Sequence, residues 1–425
     1  MKNILVVIAS VLLLNSCKKD VIEPKQQSEV VQPIVKVDTT PIVKPIDFSG
    51  FNTINKTTSF YNTLINGYQS YENFNKFRQF MPPAGEVVEH LSSAYSYVDF
   101  DKDGDSDFIF ASTSYSKDRK YIYIIQNNGN GNWSLYKKLN GFIWPRKGGL
   151  ADFDNNGYLD FFVADQGYEN NATNYYSGAE IGIVYFYKDN VEIKYIPNSY
   201  AFNHTASAGD IDSDGDVDLV TIDNVYRNDG AGFTKEDNLT QQQQNGYYHC
   251  ELMDLNNDGK LDLIAGNAEN FVNKNGVRNY TRVFWNKGDG KFRYENATEL
   301  PIADGVDTYG MVDDIDFIDF NNDGKMDIIL NRSAGVPNSF GYYIQFLQNN
   351  GDNTFKEVTK ERIDNYKLLT SNQFIWFVWI RLVDLNKDNK LDIMVREGAT
   401  PGYSPDNEKE LYWMNDGNNN FKLKQ

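Results

Sequence analysis

The chain has 425 residues, 40% of them apolar and 24% charged, with a formal net charge of −18. That length holds one large domain or two or three small ones. The acidic balance argues against nucleic acid and against an anionic membrane surface as direct partners. Aromatic residues are abundant, with 28 Tyr and 27 Phe, against only 3 His and 2 Cys.

Residues 1–17 read MKNILVVIASVLLLNSC and form a targeting segment. Lys2 makes the start positive, and the apolar run at 4–14 is too short to span a bilayer. The motif LNSC, ending at Cys17, resembles a bacterial lipoprotein box. That resemblance implies lipidation of Cys17 and an outer membrane lipoprotein, facing the cell surface or the periplasm. The lipid is then its expected contact with membrane. The run CKKDVIE that follows resembles the surface-export signal of Bacteroidetes lipoproteins. Residues 18–50 carry Pro24, Pro33, Pro41 and Pro45 and read as a flexible tether. Residues 51–93 read either as a helical cap or as the strands of a degenerate extra blade.

Residues 94–425 are organised by six acidic loops. They read DFDKDGDSD, DFDNNGYLD, DIDSDGDVD, DLNNDGKLD, DFNNDGKMD and DLNKDNKLD. Their starts at Asp99, Asp152, Asp210, Asp254, Asp319 and Asp384 are 53, 58, 44, 65 and 65 residues apart. A period of this size signals one supersecondary unit per repeat. Alternate oxygen-bearing side chains with a glycine at the sixth place suit a hard cation, Ca²⁺, because the glycine permits the turn that gathers the oxygens. Up to six Ca²⁺ are expected.

Places one, three, five, seven and nine are assigned to each site. In the first loop they are Asp99, Asp101, Asp103, Asp105 and Asp107; in the second, Asp152, Asp154, Asn156, Tyr158 and Asp160. The third has Asp210, Asp212, Asp214, Asp216 and Asp218; the fourth, Asp254, Asn256, Asp258, Lys260 and Asp262. The fifth has Asp319, Asn321, Asp323, Lys325 and Asp327; the sixth, Asp384, Asn386, Asp388, Lys390 and Asp392. Places one, three, five and nine carry 20 carboxylates, which would repel one another without cations. The third loop, with four such carboxylates and a glycine, is expected to matter more than the sixth, whose turn residue is Asn389.

The twelfth places, Phe110, Val163, Thr221, Ala265, Leu330 and Val395, argue against an EF-hand, since none of them supplies its carboxylate. The ninth-place Asp is followed instead by β-rich apolar runs such as DFIFAST and DFFVAD, so each loop joins two strands. In the fourth repeat YHCELMD, LDLIAGN, YTRVFWN and KFRYENA read as four strands, with the turn KGDG between the last two. Turns such as QNNGNGNW, YRNDGAGF and WMNDGNNNF mark the same hairpin elsewhere. The expected fold is all-β, a β-propeller of six or seven four-stranded blades with calcium loops between the first and second strands.

These repeats resemble FG-GAP or VCBS-type repeats, as in the propeller of integrin α chains and many bacterial surface proteins. GDIDSDGDVDLVTID and MDLNNDGKLDLIAGN carry the resemblance, although the Phe-Gly and Gly-Ala-Pro signatures are mostly missing. It implies fold and calcium and is nearly silent on ligand.

Antiparallel strands put the acidic loops and the Asn-Gly turns on one face and long, unequal loops on the other. Variable loops on a rigid scaffold are where binding sits. Five residues past each ninth-place Asp stand Ser112, Asp165, Asp223, Asn267, Arg332 and Glu397, expected to ring the channel mouth on the variable face. Trp144, Arg146, Tyr176, Tyr248 and Tyr403 would add stacking surface for sugar rings. The expected function is a non-catalytic, calcium-stabilised surface or adhesion protein that recognises a glycan or a surface protein. The alternative is a polysaccharide lyase or glycosidase on the same face, with His204 or His249 beside Asp165, Asp223 or Glu397 as acid and base. Cys250 reads as a small buried hydrophobe.

Overall fold

The computed structural model describes residues 90–113, 119–129, 132–170, 175–237, 247–269, 280–304, 310–334, 340–368, 377–386, 388, 390–397 and 410–424, together with Phe80. The signal segment, the tether and most of residues 51–93 lie outside these residues, and so does the question of a seventh blade.

Among the described residues, six four-stranded antiparallel meanders follow one another. Blade 1 comprises His90–Val98, Asp107–Thr113, Tyr121–Asn127 and Trp133–Asn140. Blade 2 comprises Pro145–Ala151, Asp160–Asp165, Gly182–Tyr187 and Asn190–Tyr195, with a small hairpin, Tyr168–Asn170 and Tyr175–Ser177, inserted after its second strand. Blade 3 is Ser207–Gly209, Asp218–Val220, Asn224–Asn228 and Phe233–Asp237. Blade 4 is Tyr247–Met253, Asp262–Asn267, Arg282–Phe284 and Ala297–Glu299. Blade 5 is Met311–Ile318, Asp327–Ser333, Tyr342–Asn349 and Phe355–Glu357, with Lys367–Leu368 paired beside Tyr342 and Tyr343. Blade 6 is Phe377–Val383, Asp392–Glu397, Glu410–Asn415 and Phe421–Leu423. The fold is a β-propeller whose first strands are innermost.

Burial explains the sequence pattern of each blade. Second strands such as Asp160–Asp165 and Asp262–Asn267 are buried along their whole length, because blades cover both faces. They therefore read as continuous apolar runs rather than alternating ones. The fourth strand Trp133–Asn140 is an outer edge and mostly exposed. Each pair of consecutive blades shares an apolar core. Phe100, Ile109 and Phe161 lie between blades 1 and 2, and Ile211, Val220 and Leu263 between blades 3 and 4. Ile329, Phe346 and Trp413 lie between blades 5 and 6. The far face of blade 1 holds Tyr97, Phe108 and Phe110, with Phe80 packed against them.

One predicted strand is displaced. KFRYENA was expected as the last strand of blade 4, but that strand is Ala297–Glu299, and Tyr294–Asn296 is a 3-10 turn. Phe292 leaves the edge to enter the core between blades 3 and 4, and Tyr294 packs on the same core. The hairpin closes later, where the Trp285 N–H donates to the Asn296 carbonyl.

Candidate functional site: the acidic loops and the propeller axis

The acidic loops repeat one hydrogen-bond plan. The first-place Asp accepts from the backbone of places five and six: Asp99 from Asp103 and Gly104, both at 3.1 Å, and Asp254 from Asp258 at 3.1 Å and Gly259 at 2.8 Å. The side chain at place five accepts from the backbone of place seven, as Asn156 does from Tyr158 at 2.7 Å. The sixth-place glycine takes a left-handed conformation, φ +96° at Gly104 and +82° at Gly259. The fourth place is left-handed too, with φ 55° at Asn155 and 57° at Asn257. Asparagine tolerates that region, so its presence at fourth places was a signal the sequence reading did not use. Asn389 lies outside the described residues.

The ninth-place Asp joins three strands. Asp107 accepts from Phe100 at 3.0 Å and from Asn127, the last residue of the third strand, at 2.8 Å. Asp262 does the same with Leu255 and Asn286, and Asp327 with Phe320 and Asn349. The asparagines that close the third strands were not singled out from sequence, though the turns QNNG, YRNDG and LQNNG display them. Their side chains staple neighbouring blades. Asn228 donates to the Phe153 carbonyl, Asn286 to Ile211 and Asn349 to Leu255, each at 2.7 Å.

The donor set suits a hard cation. Carboxylate oxygens of Asp99, Asp101 and Asp107 lie within 4.8 Å of one another, as do those of Asp152, Asp154 and Asp160, and of Asp210, Asp212 and Asp218. In loops four to six the third place is an amide, Asn256, Asn321 and Asn386, which still offers an oxygen. At the seventh place Asp105 and Asp216 offer carboxylates, Asp216 accepting from the Asn155 side chain at 2.7 Å, whereas Lys260, Lys325 and Lys390 offer no oxygen. Lys325 pairs with Asp323 at 2.7 Å, and Lys102 stacks 3.7 Å from the centre of the Tyr158 ring. Burial, more than the neighbouring carboxylates, pushes Asp107 up to about 7 and Asp262 up to about 8. A cation at the loop centre would favour their ionised forms.

The third loop also holds a cation of its own. Arg227 Nη1 lies 3.1 Å from Asp212 Oδ2 and 3.3 Å from Asp218 Oδ2, so a guanidinium shares this cluster. Asp212 Oδ1 is buried and has no hydrogen-bond partner.

Of the six polar residues predicted to ring the channel, the five whose side chains are described do not form one surface. They belong to or follow second strands, and the first strands are innermost. Ser112 Oγ donates to the Tyr121 carbonyl at 2.9 Å and closes a hairpin. Asp165 accepts from the backbone of Ile143, Trp144 and Gly167. Asn267 is buried between blades, and Arg332 is fully buried against Glu269 at 3.1 Å. Asp223 is exposed at a bend between strands. The side chains of Glu397, Tyr176 and Tyr403 lie outside the described residues. Buried side chains with partners inside the chain offer no ligand surface.

Among the described residues, the predicted acid–base pairs are not brought together either. His204 lies between Phe202 and Tyr248, and burial followed by the charge of Arg146 pushes it down to about 3. His249 faces the propeller axis, beside Lys147, Glu251 and Asp314. Cys250, on the other side of that strand, is fully buried as expected.

Near the start of the first strands, Trp144, Arg146, Tyr248 and Trp379 are partly buried. The Arg146 guanidinium stands 5.8 Å from the centre of the Trp379 ring, bringing blades 2 and 6 together. This end is opposite the acidic loops, which follow the first strands.

The family described as FG-GAP-like repeat matches residues 99–163, 210–265 and 266–330. The chain carries FG-GAP-like repeats. The matched FG-GAP-like stretches contain acidic loops one to five, and the sixth loop lies beyond them. Among curated proteins, none matches the sequence. Among solved structures, a levansucrase mutant complexed with sucrose has 11% identity and a TM-score of 0.40, with 85% of this chain and 91% of that chain covered. A B. subtilis levansucrase mutant has 12% identity and a TM-score of 0.38, covering 79% and 86%. The V. cholerae biofilm matrix protein Bap1 has 13% identity and a TM-score of 0.31, covering 77% of this chain and 60% of its own. At these scores the likenesses add nothing to what the sheet topology and the FG-GAP-like repeats say.

Proposed function

We propose that this chain is a calcium-stabilised, non-catalytic binding lipoprotein of the bacterial surface that recognises a glycan through the face opposite its acidic loops. The observation that carries the calcium reading is the convergence of carboxylates within 4.8 Å in loops built on one hydrogen-bond plan. Asp99, Asp101, Asp103 and Asp107 would hold one ion, and the corresponding residues the others. The ion supplies charge neutralisation. The protein's own residues do the rest: the ninth-place Asp ties its loop to the second and third strands, and the asparagine beyond it ties the preceding blade. Because the carboxylates must be ionised to bind, affinity falls as pH falls.

For the ligand, Trp144, Tyr248 and Trp379 present ring faces for sugars, and Arg146 a forked donor for hydroxyl or carboxylate oxygens. Screening the full chain on a glycan array in Ca²⁺ should identify a ligand, and Trp379→Ala should weaken its binding by about 1–3 kcal/mol. Lys356→Ala, on the exposed outer edge of blade 5, should leave binding unchanged. Equal affinities for the parent and Trp379→Ala would contradict this choice of face. Release of reducing ends or unsaturated sugars during the screen would replace the binding reading with an enzymatic one.

The lipoprotein reading rests on the LNSC motif. One acyl chain binds membranes marginally, and several anchor stably. Cys17→Ala is expected to leave the membrane fraction when cells are fractionated. Retention there as complete as the parent's would contradict lipidation.

A further inference from the structure

We propose that the propeller axis is a second kind of cation site, binding one divalent transition ion through His249 Nε2, Glu251 Oε1 and Asp314 Oδ1, with Asp316 as a further acidic group. These residues alternate along two adjacent innermost strands, so His249 and Glu251 face the axis together, as do Asp314 and Asp316. The strand register shifts immediately before His249 and Asp314, and such bulges re-aim the side chains that follow. Three residues before the first Asp of loops one to three stand Ser96, Gly149 and Ser207, and five before it Ala94, Lys147 and Thr205, so blades 1 to 3 contribute mostly small groups, whereas loop six has Arg381 and Trp379 there. The charge gathers on blades 4 to 6.

The donor geometry argues for a cation at one point. His249 Nε2 lies 3.2 Å from Asp314 Oδ1 and 3.4 Å from Glu251 Oε1. Lys147 Nζ stands 2.9 Å from the same nitrogen and pairs with Glu251. An ammonium only donates, so Nε2 accepts and aims its lone pair at the point where the carboxylates converge. Donor atoms about 3.2–3.4 Å apart fit bonds of about 2.0–2.2 Å to a common ion. An imidazole among carboxylates suits the Mn²⁺ to Zn²⁺ class, whereas Ca²⁺ takes oxygens alone.

A second observation points to a missing partner. Asp316 is 2% exposed, its Oδ1 accepts from the Phe317 N–H, and its Oδ2 has no hydrogen-bond partner. Arg381 lies 3.4 Å from Asp314 Oδ2, and Ser207 donates to Glu251 Oε2 at 3.0 Å. Lys147 and Arg381 thus face three carboxylates. The Lys147 ammonium holds the point where the ion would sit, and its flexible stem lets it withdraw.

The probe is Co²⁺, added to the full untagged chain in saturating Ca²⁺ so that the acidic loops are filled. A visible ligand-field band that saturates at one equivalent is expected. His249→Ala should abolish it, Asp316→Asn should weaken binding, and Asp254→Ala in the fourth acidic loop should leave it intact. Lys147→Gln removes the competing charge and should bind Co²⁺ about tenfold more tightly or better. No saturable band in the parent chain would overturn the proposal, whether or not the variants fold. A band that survives in folded His249→Ala would overturn it, and so would Lys147→Gln affinity no better than the parent's.

Discussion

Replacing Glu269 with alanine is expected to destabilise the propeller by about 3–5 kcal/mol, because it leaves a buried guanidinium without its counter-charge. Arg332 and Glu269 are both fully buried, with Nη1 3.1 Å from Oε2. Arg332 also donates to Gln345 at 2.9 Å, and Glu269 accepts from the Thr281 N–H at 2.8 Å. The pair therefore joins blade 5 to the segment that follows the second strand of blade 4. Replacing both charges with leucine should recover much of the loss, since an apolar pair leaves no charge buried alone. Urea unfolding of the two variants checks both statements. A midpoint for Glu269→Ala equal to the parent's would contradict them. The sequence alone led to the opposite expectation for Arg332, namely a place at the channel mouth on the variable face.

That reversal shows where legibility ended. The loop motif sets a local geometry, and it told correctly where strands one and two end and begin. Its acidic places, its apolar second place and its glycine all respond to one short segment of backbone. The Asn-Gly and Asp-Gly turns did the same for most hairpins. Blade 4 escaped because Phe292 and Tyr294 answer to the core of a neighbouring blade rather than to their own hairpin. The polar column failed for a related reason. A polar residue at the end of an apolar strand is exposed in an isolated sheet, but here its own hairpin or a neighbouring blade covers it. Ser112, Asn267 and Arg332 are all buried, and Arg332 meets its counter-charge Glu269 63 residues back in the chain. The axial residues were missed although they too recur at constant spacing, three and five residues before each loop. Their identities change from blade to blade, so no shared motif marks them.

Calcium removal is the second large effect, since several sites act together. An ion that binds only the folded state stabilises it by roughly 2.7 kcal/mol per site at a hundredfold excess over Kd. The loops differ in what they would lose. Loop three keeps the internal charge of Arg227, 3.1 Å from Asp212, so it should tolerate calcium removal better than loop one, whose carboxylates have no guanidinium beside them among the described residues. The decisive measurement is the melting temperature of the full chain in millimolar Ca²⁺ and in EDTA, at equal ionic strength. A calcium-stabilised propeller should melt about 5 °C or more lower in EDTA. Identical melting temperatures in the two buffers would contradict calcium stabilisation.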